Sequence, residues 1–442
     1  MKKILFVLII VGILHAEERR EFVKEQVLEN NEFVTNPTTR AYKFSKMAIS
    51  PFAFFRATAH LYYKDIELHN VAIPHEWRLT SGINTWIQGD SHIQNIGFFD
   101  VDGEIHWDVN DFDEGYIAPF YWDLIRYMAS VHLICSEIPA LEENEVDDLV
   151  YDFAVEYQKH LEKVAKDQRE VSTVWTDKNT SGEILKKIGK LKKKKNSSSL
   201  LDKWTSYGAF DFENEKLRRL TVDEQQILTE IWHQYLKHHA KNKHHFKAKD
   251  MAVRLKSGLG SLGVYKYYVL ADGPTTSNND DFMFEVKEQR LPAMLKSALA
   301  DEIDNYHALF SHHGHRVFVA QQALLNRNQD SYANHAKVEN VSYTISRMSP
   351  WEGGFDSGNI DDLDELRDVV LSSAKILAYA HSRGDKDFAN FCDYSFEHNA
   401  VAAIKKWSKT KTTLCELAKD YALQIGEDYK LFVELVNNGE IK

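Results

Sequence analysis

A chain of 442 residues, 43% hydrophobic and 12% aromatic, can bury a sizeable core and is long enough for two or three domains or lobes. A formal net charge of -12 argues against general nucleic-acid binding. Cys135, Cys392 and Cys415 exclude a disulfide scaffold, since three thiols close at most one bridge, and they lack zinc-ligand spacing.

Residues 1–16 carry Lys2 and Lys3, an apolar run over 4–14, and Leu-His-Ala before Glu17. This is the layout of a secretory signal peptide cut after Ala16, and the run is short for a membrane span. Leu14 is large for its place before the cut, so an uncleaved N-terminal anchor is the alternative. A soluble protein in the periplasm is expected. Residues 17–78 read as mixed helix and loop. Within them Arg56 is equally suited to a phosphate, a site carboxylate or a structural salt bridge, and receives no role.

Residues 87–126 alternate polar and apolar positions in a way that makes sense as a site. Asp90, His92, Asn95, Asp111 and Asp113 stand among residues that should be buried, and buried carboxylates need a metal or strong donors to offset desolvation. Residues 85–87 predict a short strand ending at Gly89, followed by a polar loop. Residues 96–99 and 104–109 predict a hairpin around Asp102 and Gly103. That hairpin brings Asn95 back towards Asp111, an oxygen-rich arrangement suited to Mg²⁺ with water and phosphate completing its shell. Asp90 then lies beside the metal, and Asp113 is a further candidate ligand.

The strings Gly-Asp-x-His-x-x-Asn, Asn-Asp-Phe-Asp-Glu and Pro-Phe-x-Trp-Asp-Leu-x-Arg resemble the bacterial domain-of-unknown-function family 2252. They are also similar to the catalytic core of aminoglycoside phosphotransferases and other protein-kinase-like enzymes. The resemblance implies Asp90 as the catalytic base that orients an acceptor hydroxyl, and Asn95 and Asp111 as metal ligands. It also implies that Asp123 buttresses the catalytic loop from the following helix. Phosphoryl transfer asks for this kind of positioning and charge neutralisation. Where the family usually has Phe-x-Arg-Gly, this chain has Ala57 after Arg56.

Beyond Arg126 the apolar helix continues, and residues 142–165 carry Val150, Phe153, Tyr157 and Leu161 at the spacing of a packed amphipathic helix. Residues 186–195 hold seven lysines, which read as a solvated helix face or loop connecting lobes. The histidines at 233, 238, 239, 244 and 245 lack metal-ligand spacing and read as exposed helical residues.

Residues 253–287 predict a strand, a Gly-x-Gly-x-x-Gly turn at Gly258, Gly260 and Gly263 with Ser261 inside it, and two further strands ending at Lys287. Glycines let backbone N–H groups approach phosphates, and a lysine on the third strand neutralises them. A strand follows the turn, so a kinase-type glycine loop fits better than a Rossmann turn. A helix is expected over 292–306, with Glu302 as ion-pair partner of Lys287 and Glu285 or Glu288 as rivals. Arg-Val-Phe-Val-Ala-Gln-Gln-Ala-Leu-Leu and Val-Ser-Tyr-Thr-Ile-Ser-Arg-Met read as two strands, and residues 362–381 as a helix.

The glycine turn follows the catalytic loop by some 170 positions, the reverse of an ordinary kinase. Residues 385–390 repeat the Asp-to-Asn spacing after the glycine turn. However, Asp393 follows too closely to stand where the metal aspartate belongs. The expected fold is therefore α+β: two-lobed, protein-kinase-like and circularly permuted. Residues 17–245 and 351–442 make the helical lobe, and 246–350 the glycine-loop lobe. ATP and Mg²⁺ are the expected cofactors, and the expected reaction is transfer of a phosphoryl group to a hydroxyl of an unknown acceptor. The alternatives are a non-catalytic binding protein and a metal-dependent phosphohydrolase.

Overall fold

The computed structural model describes residues 17–442 except 102, 195–196, 240–245, 257, 276, 326–330, 356–362, 387 and 389–390. The leader-like residues 1–16 lie outside the described residues. Architecture is mixed α+β. The largest core belongs to helices. Tyr121–Cys135 is buried along nearly its whole length and is surrounded by Glu143–Asp167, Leu363–Arg383 and Thr410–Asn437. Along Glu143–Asp167, Val146, Leu149, Val150, Phe153, Tyr157, Leu161 and Val164 form one buried stripe, as helical periodicity requires. Residues 17–30 add a helix tied in by Arg19, which bridges Asp65 and Asp428 at 2.6 Å each. Among the described residues no helix is long and apolar enough to cross a membrane. The three cysteines are free.

A second body is built on a six-stranded antiparallel sheet in the order Asn334–Val338, Val341–Arg347, Phe282–Gln289, Lys266–Ala271, Ala248–Arg254, Leu217–Arg218. Successive side chains alternate faces. Tyr267, Val269, Phe284, Val286, Tyr343 and Ile345 meet Leu228, Ile231, Trp232 and Tyr235 of helix Val222–His239. On the other face, Tyr268, Leu270 and Met283 are covered by Leu201, Trp204 and Phe210. The near end of that face, with Lys266, Glu285, Lys287, Gln289 and Thr344, opens towards the helical body. Lys287 stands opposite Lys266 and Thr344 in the ladder.

Two element assignments need correcting. The Arg316–Leu325 stretch is not a strand: His313–Leu324 is a helix, started by His312, whose ring accepts from His315 N. β-branched residues suggested a strand, but Val317, Val319, Ala320, Ala323 and Leu324 are buried between sheet and helical body, and packing overrides propensity. The partner of Val341–Arg347 is instead Asn334–Val338. Residues 292–306 are not one helix but a short turn, Ala293–Leu295, followed by Ala300–Leu309. The lysine-rich run lies on helix Gly182–Lys194, with Ile184 and Ile188 buried and Lys187 paired with Glu365 at 3.6 Å.

Candidate functional site

Strand Asn84–Ile87 pairs with Tyr116–Pro119 and delivers the chain into a loop that begins at Gln88. The loop is held from below by Asp123, in the first turn of Tyr121–Cys135. Its carboxylate accepts Gln88 N at 2.6 Å and Gly89 N at 3.0 Å, and lies 3.2 Å from His381 Nε2. His381 Nδ1 in turn meets the Tyr157 hydroxyl at 2.9 Å. Asp123 and His381 are both fully buried, so the loop position is set by bonds that water does not compete for. Gly89 is required here: its φ is 81°, and a Cβ would stand 2.1 Å from Glu114 O.

Asp90 follows and reaches the cleft. Its Oδ1 accepts from Arg126 Nε at 3.0 Å and also from Nη2. Arg126 is fully buried and stacks 4.0 Å over the Phe55 ring. His92 Nε2 lies 3.8 Å from Asp90 Oδ2. Because His92 Nδ1 accepts from Gln94 N, the ring proton belongs on Nε2. Burial, then the charges of Arg56 and Arg126, push His92 well below its usual range, so the ring is neutral. Asn95 closes the loop, donating to Asp90 O at 2.9 Å and accepting Asn110 N on its carbonyl at 2.8 Å. Gln88 Nε2 bridges the carbonyls of Asn95 and Asn110 at 2.7 and 2.6 Å. The hairpin Ile96–Val101 with Glu104–Val109 thus brings Asp111 back beside Asn95.

Asp111 has a φ of 63°, a left-handed conformation that costs energy for a non-glycine residue and recurs at functional sites. From the sheet, Lys287 Nζ pairs closely with Asp113 Oδ2 and lies 3.8 Å from Asp111 Oδ1. Gln289 donates to Asp113 Oδ1 at 2.9 Å. Both Asp113 oxygens are therefore engaged, while among the described residues Asn95 Oδ1 and the second Asp111 oxygen carry no hydrogen bond. Partial desolvation raises Asp111, whose side chain stays 47% exposed, and the neighbouring Asp113 raises it further. Burial would raise Asp113 too, but Lys287 and Gln289 outweigh it and hold it below the usual carboxylate range. Lys287 does not pair with Glu302, which instead accepts Leu299 N at 2.8 Å at its own helix start. Of the rivals, Glu285 pairs with Lys266 at 3.2 Å and Glu288 with Arg290 at 2.8 Å.

Two cavities, of about 200 and about 380 Å³, adjoin at Asn95, Asp111, Asp113 and Gln289. As one cleft they fall in the size range of small-molecule sites, about 300–1,000 Å³. Gly258, Gly260 and Ser261 line the first cavity, and Lys287 lines the second. Gly263, with a φ of 98°, packs on Val34 and Phe33 instead. Among the described residues no group of three or more His, Cys, Asp or Glu forms a metal cage. The oxygen donors of Asn95 and Asp111 suit Mg²⁺, which takes one or two protein ligands and keeps water and phosphate for the rest.

Arg126 closes the Pro-Phe-x-Trp-Asp-Leu-x-Arg string, but no role for it followed from the sequence, and Arg316 carried no sequence signal; both are fully buried. Arg316 donates to Gly115 O at 2.7 Å, Asp113 O at 2.6 Å and Arg290 O at 3.0 Å, joining the Asp111–Asp113 turn to the sheet body. Asp385, the rival aspartate, is buried and accepts Phe396 N at 2.9 Å, capping a helix, while residue 390 lies outside the described residues. His233 and His238 are exposed; the side chain of 239 and residues 244–245 lie outside those described.

A family model described as "Uncharacterized protein conserved in bacteria (DUF2252)" matches residues 36–435. The chain belongs to this bacterial family. No curated protein and no solved structure matches it. Geometry, for this DUF2252 protein, is therefore the basis for a functional reading.

Proposed function

We propose that this DUF2252 protein is a kinase-like phosphotransferase that uses ATP and Mg²⁺ to phosphorylate a hydroxyl of an unidentified acceptor, on a circularly permuted, two-lobed kinase-like fold. The observation that carries the reading is the meeting of Lys287, from the third strand of the sheet body, with Asp111 and Asp113, beside a loop whose amides are held by Asp123. The end of helix Leu363–Arg383 supports the permutation. Thr85 Oγ1 bonds to His381 O, so this helix ends beside the strand that leads into the Asp90 loop although nearly 300 positions separate them.

Each residue has a task that follows from its surroundings. Arg126 occupies Asp90 Oδ1 and leaves Oδ2 to accept the proton of an acceptor hydroxyl, so Asp90 orients the nucleophile and takes its proton as the bond forms. Asn95 and Asp111 would hold Mg²⁺, which when bound draws phosphate oxygens together and neutralises developing charge. Lys287, kept charged by Asp111 and Asp113 despite its burial, places a cation against the donor phosphates. Gly258, Gly260 and Ser261 present backbone to the same cavity.

One observation favours a second reading, the phosphohydrolase. Past Lys287 the cleft carries the Lys266–Glu285 pair and Arg347, which pairs with Asp100 at 2.8 Å, alongside the apolar Phe99, Val109, Val317, Tyr332 and Ile345. Charged groups at that place suit a phosphate ester, and a hydrolase using the same carboxylates needs no nucleotide pocket. Thermal unfolding of the full chain with Mg²⁺, with and without ATP, separates the two. The kinase-like reading expects ATP to raise the midpoint in the wild type, and expects Asp111→Asn and Lys287→Ala to abolish the rise. No rise at millimolar ATP overturns it.

A further inference from the structure

The first cavity extends past Asp90 into a chamber that the phosphotransfer reading does not use. Its walls carry Lys43, Arg56 and Lys296 along with His60, Asn30 and Asn31. Among the described residues none of these three cations makes a direct ion pair of the kind buried charges ordinarily require, although Asp90 and Asp111 act on Arg56, and Glu114 and Glu29 on Lys296, from farther away. Lys43 is 3% exposed and, among the described residues, its ammonium meets the carbonyls of Gly260 and Leu262, each at 3.3 Å, and the face of Phe33. Lys296 bonds the Asn30 side-chain oxygen. Among the described residues the Arg56 guanidinium makes no hydrogen bond, and its Nε is buried without a partner. His60 is 7% exposed, with Nε2 also unpartnered.

Most carboxylates on the same cavity are paired with other groups, although Asp90 Oδ2 and one Asp111 oxygen stay open. Asp90 pairs with Arg126, Asp113 with Lys287, and Glu288 with Arg290. Glu114 accepts Ala293 N and, with Glu29, favours the charged form of Lys296 without pairing with it directly. The result is a cavity that carries acids and unpaired cations together: Arg56 stands within electrostatic reach of Asp90 and Asp111, and Lys43 and Lys296 line the same space. Burial, together with the charges of Lys296 and Arg290, pushes Lys43 down to about 7, the mark of an ammonium that lacks an anion.

We propose that this chamber is an oxyanion subsite: the acceptor carries a phosphate or carboxylate group that sits among Lys43, Arg56, Lys296 and His60 while its hydroxyl reaches Asp90. This deepens the phosphotransferase reading and rests on it for the acceptor's role, although anion binding itself does not. Acceptors are thus small anionic hydroxy compounds, such as sugar phosphates or hydroxy acids as chemical classes, rather than cationic ones.

The test is thermal unfolding of the full chain without Mg²⁺, titrated with inorganic phosphate and separately with glutarate. At least one of the two is expected to give a saturable rise of about 2–5 °C. Arg56→Gln and Lys296→Gln should each abolish that rise while unfolding cooperatively, and Asp111→Asn should keep it. Whichever probe acts identifies phosphate or carboxylate as the group recognised. The proposal is overturned if neither probe shifts the wild type, or if the shift survives both substitutions. A shift with phosphate in a protein that ATP and Mg²⁺ leave unmoved would sink the kinase-like reading and leave the subsite standing.

Discussion

Two Gly-Asp turns in this chain look alike in sequence and do different work. Gly89-Asp90 and Gly384-Asp385 both follow the end of a regular element, and both glycines are pressed against neighbours: a Cβ at 89 would meet Glu114 O, and one at 384 would stand 2.7 Å from the Trp86 side chain. They even share a neighbourhood, since Thr85 and His381 are hydrogen-bonded. Yet Asp90 opens onto the cleft with 20% of its side chain exposed, whereas Asp385 is fully buried and caps the helix at Phe396. The lesson is that the environment assigns the role. A carboxylate that lines a cavity with one oxygen free can meet a substrate; a carboxylate whose oxygens end a helix holds the fold.

That contrast breaks most visibly at Asp123. Asp123→Ala strands the Gln88 and Gly89 amides in a dry interior, at about 1–3 kcal/mol for each orphaned donor. A total loss of about 2–5 kcal/mol in urea unfolding is expected. Stability within about 0.5 kcal/mol of wild type would mean the Asp90 loop is not held from this helix. Asp385→Ala orphans one amide and should cost about 1–3 kcal/mol while leaving the ATP-dependent rise in midpoint intact. Loss of that rise would move the site to the second turn.

The smallest effect concerns acid. His312, His335 and His315 cluster, with His335 Nδ1 lying 3.0 Å from His312 Nε2, and His313 and His238 are close by. Burial first, then neighbouring histidines with Lys337 and Arg316, pushes His312 and His313 down to about 4 and His335 to about 3. In the unfolded chain these rings titrate near 6.5, so between that value and the folded ones the unfolded state binds more protons. Stability is full above about pH 6.5 and declines as pH falls towards 4. His335→Gln should flatten the melting midpoint against pH over that window; an unchanged slope would mean the cluster is charged in the fold.

Much of the site was legible because its signals are local. The spacing of residues 96–109 foretold a hairpin, the strand-like run after Gly263 foretold a strand, apolar periodicity foretold the helix over 142–165, and a helix over 362–381 was expected too. What escaped depends on packing between distant segments. Arg316 sits in a segment whose β-branched residues imitate a strand, and only burial on two sides makes it a helix. Lys43 and Lys296 are ordinary surface lysines on paper, and become site residues because the glycine turn and residues 30–34 close over them. The partner of Lys287 was sought on the next helix, but it comes from the other body, some 170 positions earlier.

The most direct measurement is the rate of ADP formation from ATP and Mg²⁺ by the full chain, with water as the acceptor when no other is supplied, compared with Asp90→Asn and Asp385→Asn below each variant's melting midpoint. The kinase-like reading expects slow turnover in the wild type and in Asp385→Asn, and a fall of about 10²–10⁴-fold in Asp90→Asn. Turnover that survives in Asp90→Asn, or is lost instead in Asp385→Asn, would contradict it.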